Sequence, residues 1–449
     1  MPGVPSGRGC DACRQVKKKC DQANPECSRC TRLGISCVGS GQRRFKFVAV
    51  PERQSRGTGA EPSKRSVPSS TYRAESALAL SPPLPSNQET QDLSSLISAL
   101  EVTDVRFDLR IFGPFLPEIP RRLGKSQALD SSVRALVVSF PSVYTRQPTP
   151  DMYKSYGEAL RHLRVALADS SASASPETLC AVYMVIICQG WIGRGGDFFP
   201  SHGEAMAHML NTAAARRDWM GEFEAEIVNT LVALCLLESF ANPKINLDPR
   251  LWEPSPDLRP IPRPSRPKSK MSTDIKCLQP SYLAAVSGYI RDVQGHLPDI
   301  LAMHQTLQDD LVRMKTLLAG VAGKGPRGQT LTERRLQVRW QTGYGVLLLL
   351  GLMANWALAT YGLGDAVCLE GEMVMLVDEV AELAQEAAQY RPLGSSAMPA
   401  FIIAAKMMTQ DPAKLKVLQD LLVLYRSDFP VVTAELGARR AYGESSACL

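Results

Sequence analysis

The sequence of 449 residues has little that would support catalysis. It holds only five histidines and contains no H-E-x-x-H, G-x-S-x-G or G-x-G-x-x-G motif, which mark metalloproteases, serine hydrolases and dinucleotide-binding enzymes. A glycine-rich stretch at 193–197 lacks the G-x-x-x-x-G-K-[ST] pattern of a phosphate-binding loop, and a turn between helices explains it better. We therefore expect no enzyme active site.

Runs of residues suited to β-strands are also scarce, and no secretory signal is recognised. The first absence favours a mainly α-helical chain, and the second favours a reducing compartment in which cysteines stay free of disulfides. One apolar stretch, 344–361, approaches the length of a membrane span. It contains Asn355 and two glycines and has no basic residue flanking its carboxyl-terminal end, so we predict a core helix and no membrane partner.

What the sequence does contain is an internal repeat of cysteines near the amino terminus. The spacing C-x2-C-x6-C occurs twice, and its members are Cys10, Cys13, Cys20, Cys27, Cys30 and Cys37. Paired C-x2-C units are typical of zinc sites, and one structural zinc takes four ligands. Two ions need eight ligand positions, which six thiolates fill only if two sulfurs bridge both metals. The repeat indicates the first cysteine of each half, Cys10 and Cys27, as the bridging ligands.

The two halves of the repeat differ in charge. The first x6 segment holds four cations, which are Arg14, Lys17, Lys18 and Lys19. The second x6 segment has one. A short basic helix held by a metal core can enter the major groove of DNA, where lysines donate to guanine O6 and N7.

More cations follow the last cysteine, namely Arg43, Arg44 and Lys46. They can extend the phosphate contacts or act as a nuclear import signal. Residues 1–66 hold 14 Lys/Arg against 5 Asp/Glu, whereas the rest of the chain is nearly neutral. Attraction to a polyanion is therefore predicted for the amino-terminal segment alone.

These residues resemble the fungal binuclear zinc cluster transcription factors. The match consists of Cys10-Asp-Ala-Cys13-Arg14, Lys19-Cys20-Asp21 and Asn24-Pro25-Glu26-Cys27, each at the family's spacing. The resemblance implies two zinc ions bridged by Cys10 and Cys27. It also implies a turn set by Pro25 between the two halves.

The resemblance further assigns roles to the cations. Lys17 stands where the family usually has its main base-reading lysine, and we expect Lys18 to read bases beside it. Arg14, Lys19 and the 43–46 tail would contact phosphates. The chain departs from the family pattern at Val16, a position that is commonly Arg or Lys.

The function that the resemblance implies is a nuclear, sequence-specific regulator of transcription that binds double-stranded DNA. GC-rich triplet half-sites and coregulators are its expected partners. Family habit suggests control of a metabolic or specialised-metabolite gene cluster. Many relatives dimerise through a coiled coil after the cluster, but 48–88 contains no sustained heptads, so dimerisation stays open.

Two other functions fit parts of the sequence. A zinc-storage or redox-sensing protein would use the cysteines but would not need the basic segment. An enzyme in the remainder of the chain, with an appended DNA-binding module, would need a pocket of converging polar residues. We favour the regulator because it explains both the cysteines and the cations.

The predicted organisation has four segments. They are a zinc module with two short helices and a basic tail (1–47), a flexible linker rich in Ser, Pro and Gly (48–88), an all-α regulatory domain (89–440) and a tail (441–449). A basic, proline-rich loop is expected near 254–274 and another loop near 320–330. Ser86-x-x-Glu89 has the spacing of a capping box that would begin the first body helix.

Apolar residues recurring every three or four positions predict the helices of the body. They are expected after 89, after Pro150, and at 176–188, 202–213, 221–241, 282–294, 299–319, 331–361, 371–389 and 412–426. Cys180 and Cys188 lie in an apolar run and are interpreted as buried small hydrophobic residues. No chemistry is assigned to the remaining scattered cysteines.

Overall fold

The computed structural model describes residues 9–23, 26–35, 37, 87–192, 201–216, 221–253, 275–322 and 328–428. Within these ranges the chain forms helices and no strand, which confirms the predicted mainly α fold. The chain divides into two units, Met1–Ala79 and Leu80–Leu449. The linker over 48–86, the loop at 254–274 and the tail at 441–449 lie outside the described residues, and so does the glycine-rich stretch at 193–197.

The amino-terminal unit contains two short helices, α1 (Asp11–Gln15) and α2 (Ser28–Leu33). Helices of this length are not stable alone in water, so other contacts must hold them. The buried residues around them are cysteines, together with the partly buried Ala12. A core this small cannot supply the stability of an ordinary domain, which makes the cysteine sulfurs the centre of this unit.

The body contains longer helices. They are α3 (Gln88–Leu100), α4 (Gln127–Thr145), α5 (Pro150–Ala168), α6 (Pro176–Ile192), α7 (Ser201–Arg216), α8 (Glu222–Glu238), α9 (Pro280–Arg291), α10 (Leu297–Ala322), α11 (Leu331–Thr360), α12 (Ala366–Ala387), α13 (Met398–Met407) and α14 (Pro412–Arg426). Short 3-10 helices connect some of them, the longest being Leu116–Arg122.

Two apolar helices organise the core of the body. Helix α6 is buried over most of its circumference because α4 and α5 pack against it and α7 and α8 also contact it. Helix α11 packs against α10, α12 and α13. Helix α11 is long and apolar enough to cross a membrane, but 67% of its most apolar window is buried against the rest of the body. This burial agrees with the prediction of a core helix.

Helix starts follow ordinary capping chemistry, with one correction to the sequence analysis. The predicted capping box at Ser86 is wrong, because the side chain of Asn87 accepts the backbone N–H of Thr90 and caps α3. Helix α3 therefore begins at Gln88, one residue before the predicted start at 89. At α11, Thr330 and Glu333 form a capping box that fits the predicted start.

Two body helices were not predicted. The sequence of helix α4 shows no clear apolar periodicity, because its buried face includes Ser132, Ser139 and Ser142 and because it contains Pro141. Helix α13 has only ten residues and is apolar on nearly every side, so it shows no clear helical period. Both are buried against neighbouring helices, and that packing outweighs their weak local pattern.

A partly buried arginine connects three elements of the body. Arg122, at the end of the 3-10 helix Leu116–Arg122, bonds Glu177 of α6 and Glu224 of α8, each at 2.8 Å. Its guanidinium also lies 3.9 Å from the ring centroid of Phe223. The guanidinium of Arg122 neutralises both carboxylates, so Glu177 and Glu224 can lie close together in the first turns of α6 and α8.

Candidate metal centre and nucleic-acid interface

The six sulfurs of the amino-terminal cysteines come together in the structure. They form two groups of four in which all Sγ atoms lie within 4.8 Å of one another. One group is Cys10, Cys13, Cys20 and Cys27, and the other is Cys10, Cys27, Cys30 and Cys37. Cys10 and Cys27 belong to both groups, which is the arrangement that two metals sharing two ligands require.

The distances between these sulfurs fit zinc and do not fit disulfides. The Sγ atom of Cys10 lies 3.7 Å from that of Cys27 and 3.6 Å from that of Cys30, and Cys13 lies 3.8 Å from Cys27. A tetrahedral ion with Zn–S bonds of about 2.3 Å separates its sulfurs by about 3.8 Å. A disulfide would need about 2.05 Å. The donor set therefore fits two tetrahedral thiolate sites.

Backbone geometry favours thiolates at the two shared positions. Cys27 is the N-cap of α2, and Cys10 directly precedes α1. Hydrogen bonds from the backbone N–H of Cys13 and of Cys30 lower the pKa of Cys10 and of Cys27, respectively. Each shared sulfur therefore sits at the positive end of a short helix, where negative charge is stabilised.

The buried non-shared cysteines behave differently. Burial raises the pKa of Cys13, and zinc binds the deprotonated form of a cysteine. Metal binding must therefore release protons, and zinc affinity must fall as the pH is lowered.

Both short helices end with the same backbone motif. Lys17 and Gly34 take left-handed φ values of 52° and 63°, and they occupy equivalent places in the repeat. In the first half, the N–H of Lys18 donates to the carbonyl of Cys13 at 2.9 Å, and in the second half Ile35 donates to Cys30 at 3.1 Å. This is the hydrogen bond of a Schellman helix end. The first half places a lysine where glycine is the usual residue.

Further contacts hold the two halves to each other. The carboxylate of Asp21 accepts the backbone N–H of Ser28 at 3.2 Å, and hydrogen bonds from Ser28 lower the pKa of Asp21. Arg29 Nη1 lies 3.9 Å from the Sγ of Cys13. Neither role was predicted from the sequence. For Asp21 the Cys-Asp motif was the available signal, and for Arg29 there was none.

The predicted DNA-contacting residues are only partly within the described structure. Lys17, Lys18 and Lys19 are exposed in succession after α1, and Val16 just before them is 50% exposed. Arg14 lies in α1, but its side chain is outside the described set. Arg43, Arg44 and Lys46 lie outside the described residues. The cations that are described therefore form a solvent-facing surface at the end of α1.

Comparison with known proteins agrees with this geometry. Residues 8–46 match the family described as "Fungal Zn(2)-Cys(6) binuclear cluster domain". This segment is similar to the binuclear zinc cluster domains. Such a domain binds two zinc ions, and the paired thiol groups above are positioned for them.

Curated relatives match over the same part of the chain. "Depudecin biosynthesis cluster-specific transcription activator DEP6" of Fusarium langsethiae is 47% identical over 49 residues, which are 10% of this chain and 8% of that protein. "Pestheic acid cluster transcriptional regulator 3" of Pestalotiopsis fici is 48% identical over 40 residues, or 9% and 7% of the two chains. "Transcription factor pgmR" of Aspergillus terreus is 44% identical over 45 residues, or 10% and 24%.

The likeness is therefore confined to the cluster domain, and the chain spans less than a quarter of each of these relatives' lengths. No solved structure matches the chain significantly.

The described part of the body offers no second metal site. Its histidines are dispersed: His202 contacts Gln189, and His304 contacts Glu372, each by a hydrogen bond of about 3.0 Å. Cys180 and Cys188 are buried as predicted, and burial raises the pKa of both thiols. Among the described residues, groups of possible metal ligands occur only in the cysteine cluster.

A polar cleft of about 410 Å³ lies in the body. Its lining is Thr103, Asp104, Val105, Arg106, Gln329, Arg334, Gln389 and Tyr390. The guanidinium of Arg106 is already bound to Asp104 at 2.6 Å. The residues that line the cleft include no histidine or cysteine.

Proposed function

We propose that this protein is a nuclear, sequence-specific DNA-binding regulator of transcription. The observation that carries the proposal is the pair of four-sulfur groups sharing Cys10 and Cys27, in a segment that matches the binuclear cluster family. The exposed lysines after α1 supply the charge that a storage or redox protein would not need. The regulator therefore explains both features of the amino-terminal unit.

In this proposal the six cysteines hold two zinc ions, and Cys10 and Cys27 bridge them. The zinc is structural, because the buried residues of this unit are almost all cysteines and cannot form an ordinary core. Metal binding then supplies the folding free energy of the unit. The residues of this chain contribute the rest, since Asp21 and Arg29 connect the two halves.

Lys17 and Lys18 are proposed to contact guanine edges in the major groove. Both are exposed, and the left-handed turn at Lys17 separates them from the regular course of α1. Arg14, Lys19 and the cations at 43–46 would contact phosphates and set the register of the domain on DNA. GC-rich triplets are the expected half-sites.

The target genes are proposed by analogy. Two of the relatives are named for the depudecin and pestheic acid clusters, so a biosynthetic gene cluster is the favoured target of this chain. The four proposed segments are a DNA-binding module (1–47), a linker (48–88), a helical regulatory domain (89–440) and a tail (441–449). The helical domain would contact coregulators. No coiled coil is predicted, and a dimer is left to experiment.

Selection of bound duplexes from a randomised pool tests the proposal directly. The full-length, zinc-loaded protein should enrich a GC-containing triplet, and the same protein treated with a chelator should enrich nothing. Enrichment of two triplets at fixed spacing would indicate a dimer. Absence of any enriched sequence, together with release of zinc by mild oxidants, would instead favour the redox or storage function.

A further inference from the structure

Val16 is an exposed apolar residue directly before a run of three exposed lysines. Its side chain is 50% exposed. The apolar residues that pack against the buried cysteines are Ala12, Cys20 and Cys37, and Val16 is not among them. Its side chain therefore contributes little to the described core of the unit, and it is free to contact a partner.

The position of Val16 places it beside the residues proposed to read bases. It follows the last residue of α1 and precedes Lys17, whose left-handed φ of 52° ends the helix. The Lys18-to-Cys13 backbone hydrogen bond fixes this turn to the cysteine cluster. Val16 is therefore held on a rigid element and does not lie in a loose tail, so its position can discriminate between bases.

An aliphatic side chain can recognise one chemical group in the major groove. The C5-methyl of thymine is the apolar feature that distinguishes a T·A pair there, and small apolar side chains contact it. The lysines that follow Val16 would bring this surface against DNA, and an apolar side chain offers no donor or acceptor for a guanine or a phosphate. Contact with a methyl group is the favourable interaction left to it.

We propose that Val16 reads the C5-methyl group of a thymine adjacent to the bases contacted by Lys17. This inference rests on the proposed function, because it requires specific DNA binding. It predicts a selected site in which the GC triplet is flanked by a required thymine.

The second half of the repeat provides a matched control. Leu33 occupies the place equivalent to Val16. It directly precedes the left-handed Gly34, as Val16 precedes the left-handed Lys17, and it is also 50% exposed. The segment around it lacks the lysines of the first half. Leu33 should therefore play no part in thymine recognition, although it matches Val16 in exposure and local backbone.

The test replaces individual thymines of the selected site by deoxyuridine, which removes the methyl group and keeps base pairing. The full-length zinc-loaded protein should lose about fourfold in affinity at one thymine, the value expected for one buried methyl contact. Val16→Ser, which replaces the methyl groups by a polar hydroxyl, should bind the thymine and uracil duplexes equally, whereas Leu33→Ser should keep the fourfold difference. Zinc content shows that each variant is folded.

Each remaining outcome overturns the inference. If no thymine-to-uracil change alters the affinity of the unmodified protein, or if Val16→Ser retains the difference, Val16 does not read a methyl group. These results leave the proposed function standing, because specific binding is still observed. If the pool selection enriches no sequence, the proposed function fails first and this inference falls with it.

Discussion

Replacing Lys17 by glycine separates recognition of DNA from folding of the zinc unit. Lys17 adopts a left-handed backbone with φ of 52°, and its counterpart in the repeat is Gly34 with φ of 63°. A non-glycine residue in this conformation costs about 1–2 kcal/mol. Glycine removes that cost but loses about 0.5–1 kcal/mol more conformational entropy on folding. Lys17→Gly should therefore leave the folded, zinc-loaded unit equally stable or more stable by up to about 1.5 kcal/mol.

The same substitution should weaken sequence preference. A lysine contact to a guanine edge is worth about 1–3 kcal/mol of discrimination. Because about 1.4 kcal/mol is a factor of ten, the preference for the selected duplex over a scrambled one should fall about 5- to 150-fold. Lys17→Ala removes the same amine while keeping the backbone cost, so it should lose the same preference without the gain in stability.

Two measurements on the full-length protein check these expectations. Fluorescence anisotropy on selected and scrambled duplexes at a fixed salt concentration gives the preference, and competition with a chelator gives zinc retention. Equal weakening of Lys17→Gly on both duplexes would identify Lys17 as a phosphate contact. Easier zinc loss from Lys17→Gly than from Lys17→Ala would refute the reasoning about the left-handed turn.

Three further predictions concern the metal and the body. Cys20→Ala, or lowering the pH so that protons compete for the thiolates, should release zinc and abolish specific binding, as measured by metal analysis and anisotropy. Gly345→Ala should destabilise the body by about 1–3 kcal/mol, because a Cβ at this position would lie 2.2 Å from the buried ring of Phe401. Gly157→Ala should instead stabilise the body by about 1 kcal/mol, because a Cβ there would have no atom within 4 Å. Denaturant unfolding of the two variants measures both changes. Burial raises the pKa of Glu238 from 4.5 to about 7, so between these pH values the folded state holds a proton that the unfolded state has lost. The free energy of unfolding should therefore fall by about 1–3 kcal/mol as the pH rises from 4.5 to 7. Glu238→Gln should remove this pH dependence.

The metal chemistry was readable from the sequence because ligand spacing is local. Two C-x2-C-x6-C units force six sulfurs toward two ions whatever the rest of the chain does, and the structure groups those sulfurs around Cys10 and Cys27 as the repeat indicated. Most body helices were readable for a similar reason. A buried face repeats every three or four residues along any helix that packs on one side, as in α10.

Tertiary packing decided the features that carry no local pattern. Helix α4 was missed because its buried face contains serines that only neighbouring helices can enclose. The left-handed turn at Lys17 was not foreseen, because lysine has no intrinsic preference for that conformation and its hydrogen bond to Cys13 belongs to the folded unit. Arg122 likewise meets Glu177 and Glu224 only after helices far apart in sequence have packed. The local spacing of residues determines which cysteines can share a metal and which side chains lie on one face of a helix. Contacts between residues distant in sequence depend instead on the free energy of the whole packed chain.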